Sequence, residues 1–200
     1  MPTYDAIVVG GGAAGLFCAI HAGRRGRRVL VLERSARVGR KILISGGGRC
    51  NFTNVHAAPD RYLSENPRFC VSALSRYTPQ DFISLVEHHG IAYHEKELGQ
   101  LFCDGTSQQI VDMLLAECQE AGVEVLTACD IAGVGSEASD YSLKTSLGTF
   151  NADALVMASG GLSIPKMGST GFSHDVAHQF GLAVTEVRAG LVPFTFRQST

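Results

Sequence analysis

Three glycines near the N terminus have the spacing of a dinucleotide site. Gly10, Gly12 and Gly15 follow the pattern G-x-G-x-x-G. In this pattern the first glycine permits a tight turn, the second admits a pyrophosphate against the backbone, and the third lets a helix lie close to a strand. Ala13 and Ala14 begin the predicted helix, whose first N–H groups and positive dipole end attract an anion. The segment therefore predicts pyrophosphate binding without a lysine.

An acidic residue completes this pattern. Glu33 lies eighteen positions after Gly15, where a carboxylate accepts hydrogen bonds from the ribose hydroxyls of an adenosine and repels a 2′-phosphate. FAD or NAD is therefore favoured over NADP. A glycine turn between a strand and a helix also has purely structural uses, but the ordered set of strand, glycines, helix and acid favours nucleotide binding.

The elements that must position these residues form a βαβ unit. Ala6–Val9 is a short apolar run without charges, as expected for a strand buried on both faces of a parallel sheet. A helix is predicted over Ala13–Arg25, ending before Gly26, and a second strand over Arg28–Leu32. The pattern predicts a Rossmann-like α/β fold.

A second glycine-rich segment follows at residues 34–54, which we predict to be a loop. Its consecutive glycines, ending at Gly48, allow backbone N–H groups to converge on an anion or a flat ring, with Arg49 and Asn51 as nearby donors. The alternative is a mobile surface loop, although the Arg-Cys-Asn-Phe-Thr-Asn sequence is unusually specific for a linker.

Cys50 is the thiol within this candidate site. No second cysteine stands at C-x-x-C spacing, so a packing role is favoured and a redox role is the minor alternative. The six cysteines are scattered and no secretory signal is present, which indicates free thiols in a reducing cytosol. His174 and His178 have metal-compatible spacing but lack further ligands, and we interpret them as ordinary helix-surface residues.

The remainder of the chain predicts further α/β structure within one dinucleotide-binding domain, residues 1–200. The predicted elements are helices Pro67–Arg76 and Pro79–His89, a hairpin in Ala92–Phe102, helix Thr106–Ala121, strand Val123–Ala128, an extended segment Ile131–Val134, a β-meander of Tyr141–Ser146 and Thr149–Asn151, strand Asp153–Ala158 and helix Phe172–Phe180. Ser159, Gly160 and Gly161 form a second glycine turn at the carboxyl end of a strand, where open α/β sheets bind ligands.

Composition and charge limit the class of protein. The 200 residues are 45% hydrophobic and 18% charged, which excludes a fibre or a disordered chain. Residues 1–50 hold nine Lys/Arg against two Asp/Glu, whereas 51–200 hold eight against seventeen. The basic half could attract nucleic acid or offset a dinucleotide's phosphates. We prefer the second interpretation and expect no nucleic-acid partner, because no aromatic residues interleave with the arginines at positions 24–28. Three consecutive glycines and Asp5 argue against a membrane span.

At this point four segments together resemble bacterial flavoproteins of the BaiN/YhiN type, also called aminoacetone-oxidase-like. They are Val8–Gly15 with Glu33, Gly39–Asn54, Ala158–Gly171 and Leu191–Phe196. The resemblance implies a glutathione-reductase-type fold that binds FAD. It places Ala14, Glu33, Arg34, Arg40 and Lys41 near the ADP half and the backbone at Ile131 near adenine. Ser159 stands where threonine is common, a change that retains the hydroxyl.

The same resemblance implies proteins of roughly double this length, whose further segments lie beside the flavin. We therefore expect this chain to lack the family's C-terminal half and to hold the ADP part of FAD better than the isoalloxazine. Three functions are open: an FAD-dependent oxidoreductase of a small organic substrate, an FAD-containing RNA-modifying protein, and a nucleotide-binding fragment without turnover. NAD(P)H or oxygen is the expected redox partner, the cytoplasm the expected location, and no catalytic residue is identified.

Overall fold

The computed structural model describes residues 3–137, 140–164 and 170–190. The strands are β1 (Thr3–Val9), β2 (Val29–Leu32), β3 (Asn51–Asn54), β4 (Tyr93–Glu95), β5 (Gln100–Cys103), β6 (Glu124–Leu126), β7 (Ile131–Glu137), β8 (Asp140–Thr145) and β9 (Gly148–Met157). The helices are α1 (Ala13–Gly23), α2 (Arg40–Ile44), α3 (Val71–Arg76), α4 (Pro79–His88), α5 (Gln108–Glu120) and α6 (Phe172–Gln179). Short 3-10 turns cover Ser45–Gly48, Pro59–Arg61 and Glu97–Gly99.

The main sheet has six strands in the order β6-β2-β1-β9-β8-β7. The first four are parallel, and β7 and β8 continue the sheet as an antiparallel meander. Ala6 of β1 pairs with Val29 on one side and Ala154 on the other, so β1 is an interior strand. This confirms the predicted Rossmann-like fold with a parallel centre and a β-meander.

The apolar residues of β1 alternate between two cores. Val8 packs in the cluster that includes Leu16 of α1 and Leu114 of α5, whereas Ile7 and Val9 pack on the opposite face with the meander. Burial on both faces explains the absence of charge in this part of the strand, because an unpaired charge there would be desolvated on either side. The end of β1, where the glycine turn begins, is therefore packed on both faces of the sheet.

A buried carboxylate links three helices. Glu117 of α5 has 2% of its side chain exposed and accepts hydrogen bonds from the Arg24 guanidinium and from His89 Nε2, the latter at 2.7 Å. Arg24 follows α1 and His89 follows α4. Both residues lie at the end of a helix, and there they donate hydrogen bonds to a buried carboxylate, the condition under which such a charge is tolerated.

Residues 34–54 contain more regular structure than predicted. They form α2, a 3-10 turn and β3, and β3 joins β4 and β5 in a second, antiparallel sheet of order β3-β5-β4. The hairpin predicted within Ala92–Phe102 is confirmed as β4 and β5. The helix α2 was missed because five residues are too few to show helical periodicity, and β3 because Phe52 is its single apolar side chain.

Two other predictions also differ from the structure. The helix predicted from Pro67 begins at Val71, and the strands predicted at Thr149–Asn151 and Asp153–Ala158 are one strand, β9. The start of α4 is confirmed, because Thr78 and Asp81 form a reciprocal capping box before Pro79. Leu191–Phe196 and the stretch 165–169 lie outside the described residues. Within the described ranges, no helix has the length and apolarity needed to cross a membrane.

Candidate functional site

The turn between β1 and α1 requires glycine at the first and last positions of the G-x-G-x-x-G pattern for steric reasons. Gly10 has a φ of +115°, and a Cβ there would lie 2.4 Å from the carbonyl oxygen of Ala158. A Cβ on Gly15 would lie 1.9 Å from the carbonyl oxygen of Gly10. Both glycines therefore serve close packing between the turn, the helix and β9, as the sequence predicted.

Gly12 differs from these two glycines because the space beside it is open. It is the N-cap residue of α1 with an extended backbone, and a Cβ would meet no described atom within 4 Å. Ala13 and Ala14, which begin the helix, are exposed. The backbone N–H groups of the first turn are therefore accessible to an anion, and a side chain at Gly12 would occupy the position of that anion.

Glu33 holds the glycine turn together. Its Oε2 accepts the backbone N–H of Gly11 at 2.8 Å, and its Oε1 accepts the backbone N–H of Ser35 at 2.7 Å. A carboxylate has further lone pairs, so these bonds leave capacity for ribose hydroxyls. Gly11 was not singled out from the sequence, yet a Cβ there would lie 2.7 Å from Val38 Cγ1 and 3.0 Å from Glu33 Cβ. The carboxylate thus fixes the turn that it flanks.

A cavity of about 370 Å³ lies at the carboxyl ends of β1 and β2. It brings together five residues predicted from the sequence: Gly10, Glu33, Arg34, Ile131 and Ser159. Sequence reasoning missed Cys129, Asp130, Thr170, Phe172 and Asp175, which also line it. Only the position of Asp175 in the first turn of a helix that follows a glycine-rich segment could have indicated it.

The carboxylates of this cavity determine its electrostatic preference. Glu33, Asp130 and Asp175 all line it, and Arg34 is the cation among its lining residues. The 2′-phosphate of an adenosine bound in this cavity would be repelled by the three carboxylates. Neutral ribose hydroxyls can instead donate hydrogen bonds to them. The cavity therefore suits the adenosine of FAD or NAD better than that of NADP, as Glu33 alone predicted.

The second glycine turn lies next to α2. Lys41 Nζ donates to Ser163 Oγ at 2.9 Å and to the carbonyl oxygen of Gly161 at 3.4 Å. A Cβ on Gly160 would lie 3.5 Å from the same Nζ, and the Gly160 φ is +80°. Ser159 Oγ lies 2.5 Å from Ser173 Oγ of α6. Segments distant in sequence, around positions 41 and 160, therefore meet beside the glycine turn of residues 10–15, which we call the cradle.

Arg40 has a different environment from Lys41. Its Nη1 donates at 3.3 Å to Oγ of Ser35, the residue whose backbone N–H donates to Glu33. Both basic side chains are exposed. They supply positive charge along the edge where the glycine turn ends.

A second hollow, which we call the aromatic groove, has a volume of about 550 Å³ and begins at the first turn of α1. Four predicted residues line it in addition to Ala13: Ala14, Lys41, Cys50 and Asn51. Its walls include the rings of Phe17, Phe52, Tyr62, Tyr77 and Phe82. The groove is therefore apolar and aromatic, with a few polar groups at the cradle end, as is typical of sites for small or planar ligands.

Gly48 and Arg49 line neither hollow. The carbonyl oxygen of Gly48 accepts the Ser107 N–H at 2.7 Å, and that of Arg49 accepts the Cys103 N–H at 2.9 Å. Their backbones therefore anchor the segment to α5 and β5, while the Arg49 side chain is exposed.

Cys50 has the properties of a protonated, packed thiol. It is buried, its φ is +51°, and burial together with the neighbouring Cys103 raises its pKa to about 11. The reactive form of cysteine is the thiolate, which a pKa this high makes scarce at neutral pH. The geometry favours the packing role over the redox role. All six cysteines of the chain are free.

The two hollows and the cradle between them fit a dinucleotide that carries a planar ring. Gly10 lines the acid-lined cavity, Ala13 and Ala14 line the aromatic groove, and the space beside Gly12 between them in the chain is open. In the described residues there is no group of three or more His, Cys, Asp or Glu suited to a metal ion.

Similar proteins support this interpretation. The chain is 52% identical over 198 residues to the ribosomal RNA dihydrouridine synthase of Escherichia coli (strain K12), covering 99% of this chain and 50% of that protein. It is 27% identical over 189 residues to the 3-dehydro-bile acid delta(4,6)-reductase of Clostridium scindens, covering 92% of this chain and 46% of that protein. The chain thus spans about half the length of these curated relatives.

Solved structures show the same fold at low identity. The amino acid oxidase NikD in its open form superposes with a TM-score of 0.57 at 18% identity, over 82% of this chain and 53% of that chain. The Rossmann domain that this chain matches binds FAD. Residues 4–197 match the model of the HI0933-like protein Rossmann domain, and the chain therefore belongs to the HI0933-like family.

Proposed function

We propose that this chain carries FAD in an enzyme that reduces uridine bases of ribosomal RNA in the cytoplasm. The observation that carries the proposal is the 52% identity, extending over 99% of this chain, to a protein named for that reaction. The RNA-modifying alternative thereby becomes the preferred one among the functions that the sequence left open. It also reverses our expectation that nucleic acid is not a partner.

In this proposal the described residues bind and orient the cofactor. The N–H groups at Gly12, Ala13 and Ala14 hold the pyrophosphate, and Glu33 accepts the ribose hydroxyls while it secures the turn. The other predicted residues that this proposal places on the cofactor side are Gly10, Gly15, Arg34, Arg40, Lys41, Cys50, Asn51, Ile131, Ser159, Gly160 and Gly161. Gly48 and Arg49 instead anchor their segment to α5 and β5. Bound FAD would supply the hydride-transfer chemistry, which these residues would hold in place.

The reaction needs a reductant. Reduction of uridine adds a hydride and a proton across the C5=C6 bond, so two electrons must enter with each turnover. NADH or NADPH can donate them, whereas oxygen removes electrons from a flavin. We therefore propose NADH or NADPH as the redox partner.

A small organic substrate is the second candidate. It is favoured by the relative named as a bile acid reductase and by the apolar character of the aromatic groove. That relative is 27% identical, against 52% for the RNA enzyme, so we place this function second.

The test measures dihydrouridine in ribosomal RNA. Cells that lack their own related enzyme would express the protein or its Gly12→Val variant, and nucleosides from purified ribosomal RNA would be quantified by mass spectrometry. We expect dihydrouridine to appear with the wild type and not with the variant. If the FAD-loaded wild type leaves the RNA unmodified but oxidises NADPH in the presence of a steroid enone, the second candidate is correct.

A further inference from the structure

Three arginine–aromatic pairs lie within residues 59–77, a segment that contributes lining residues to the aromatic groove. They are Arg61-Tyr62, Arg68-Phe69 and Arg76-Tyr77, spaced seven and eight residues apart. Interleaved basic and aromatic residues are the composition of surfaces that bind single-stranded nucleic acid, because the bases stack on rings while the cations meet phosphates. This pattern is separate from the arginines at positions 24–28, in which no aromatic residue is interleaved.

The fold places the tyrosines of two pairs on the groove, and the Arg68-Phe69 pair lies between them in the chain, just before α3. Tyr62, Leu74 and Tyr77 line the same groove, so the turn at Pro59–Arg61 and the helix α3 border it together. Cys70 Sγ lies 3.8 Å from the carbonyl oxygen of Pro59, which joins the start of α3 to that turn. We call residues 59–77 the rim.

The rim exposes its rings and its cations. Phe69 is 81% exposed and Tyr62 is 50% exposed. Arg68 and Arg76 are also exposed. Arg61 lies 3.7 Å from Asp60 Oδ2 in an exposed ion pair, which costs little to exchange for a phosphate. Because it is exposed, the Phe69 ring is accessible to a base that stacks on it.

The groove continues from the rim to the cofactor cradle. Its opposite end is lined by Ala13 and Ala14, the first residues of α1. At the rim it adjoins a third hollow, which shares Ala57 and Tyr62 with it and is also lined by Arg61 and His56. One continuous surface therefore leads from exposed arginines and aromatic rings to the helix terminus at which FAD binds.

We infer that the rim binds the single-stranded RNA around the target uridine, directing that base into the aromatic groove. The inference rests on the proposed function, since it identifies the part of the chain that would contact the RNA. Flanking bases stack on Phe69 and Tyr62, and Arg68 and Arg76 contact the phosphates. Duplex RNA binds less well, because paired bases cannot reach the rings.

The test compares two charge-matched double variants. Arg68→Gln with Arg76→Gln removes two cations from the rim, and Arg25→Gln with Arg27→Gln removes two exposed cations near the end of α1. FAD-loaded proteins would be titrated into a labelled single-stranded RNA, read by fluorescence anisotropy at several salt concentrations. We expect the rim pair to reduce the slope of log affinity against log salt by about 1.4, or about 0.7 per phosphate contact. The control pair should retain the wild-type slope.

A second comparison isolates stacking. Phe69→Leu keeps an apolar side chain but removes the ring, and should weaken binding about fivefold or more. Phe69→Tyr keeps the ring and should bind as the wild type does. Because Phe69 is exposed, neither change should alter folding, which circular dichroism and FAD content would check.

Several outcomes would overturn the inference. If the Arg68/Arg76 double variant and Phe69→Leu both bind RNA with wild-type affinity, the RNA binds elsewhere. Equal weakening in the Arg25/Arg27 control leads to the same conclusion. Normal RNA binding with a changed oligomeric state identifies the rim as a protein interface. A wild type that binds no single-stranded RNA also refutes it. In each case the dihydrouridine assay decides the proposed function independently, because it measures the product and not the binding surface.

Discussion

Glu33 and Gly11 are joined across the cofactor cradle by a hydrogen bond of 2.8 Å from the glycine N–H to Oε2. The acid at the end of β2 therefore has a structural partner as well as a predicted ligand. Its other oxygen accepts the Ser35 N–H at 2.7 Å. Loss of the carboxylate would leave two backbone donors without their acceptor and release the turn that shapes the pyrophosphate site.

We predict that Glu33→Ala weakens ADP and FAD binding by about 1–3 kcal/mol, the cost of leaving hydrogen-bonding groups unpaired. Isothermal titration with ADP measures this loss. Glu33→Gln should have a smaller effect, because one oxygen remains as an acceptor. Unchanged ADP affinity in the alanine variant would refute the role of Glu33 in the site.

Gly12 and Gly10 should respond differently to substitution. Gly12→Val should abolish FAD binding while the chain remains folded, because the new side chain points into open space. Gly10→Ala should destabilise the fold itself, since its Cβ would approach the Ala158 carbonyl and its φ is +115°. Flavin absorbance and urea unfolding distinguish the two effects. A purified Gly12→Val protein that is yellow would contradict this prediction.

The sequence predicted the cradle because its requirements are local. Steric limits at Gly10 and Gly15 act between residues close in sequence or across one strand pair, so spacing alone reveals them. The adenosine cavity was predicted less completely. Asp130 lies just before β7 and Asp175 lies in α6, and the sequence contains no signal that these two elements line the same cavity.

The Glu117 network shows a second limit of sequence reasoning. Position 117 falls on the apolar face of α5, where a charged residue contradicts the periodicity. Its partners lie 93 and 28 residues away, and their pairing depends on how three helices pack. The sequence pattern therefore indicates only that Arg24 and His89 each lie at the end of a helix.

Glu117→Ala should lower the free energy of unfolding by about 3 kcal/mol, because it leaves the guanidinium of Arg24 and the ring of His89 without their acceptor. We use the lower end of the range for broken buried pairs because Arg24 is 47% exposed. Glu120→Gln, an exposed position on the same helix, is the matched control and should have little effect. Equal urea midpoints for the two variants would mean that the network adds no stability.

The last prediction concerns pH. Burial raises the pKa of both Cys50 and Cys118 from 9.0 to about 11. Below pH 9 these thiols are protonated in the folded and unfolded states, so they add no pH dependence. Between about pH 9 and 11 the unfolded thiols ionise while the folded ones keep their protons. The folded state then binds more protons, and stability falls as pH rises.

Urea unfolding at pH 7.5 and pH 10.5 would measure this loss in the wild type and in Cys118→Ala. Tyrosines whose pKa is also raised by burial, such as Tyr77, contribute equally to both proteins and cancel in the difference. We expect the variant to be less stable at pH 7.5, because a cavity replaces the thiol, but to lose less stability on going to pH 10.5. Parallel losses in the two proteins would show that Cys118 ionises as readily when folded as when unfolded.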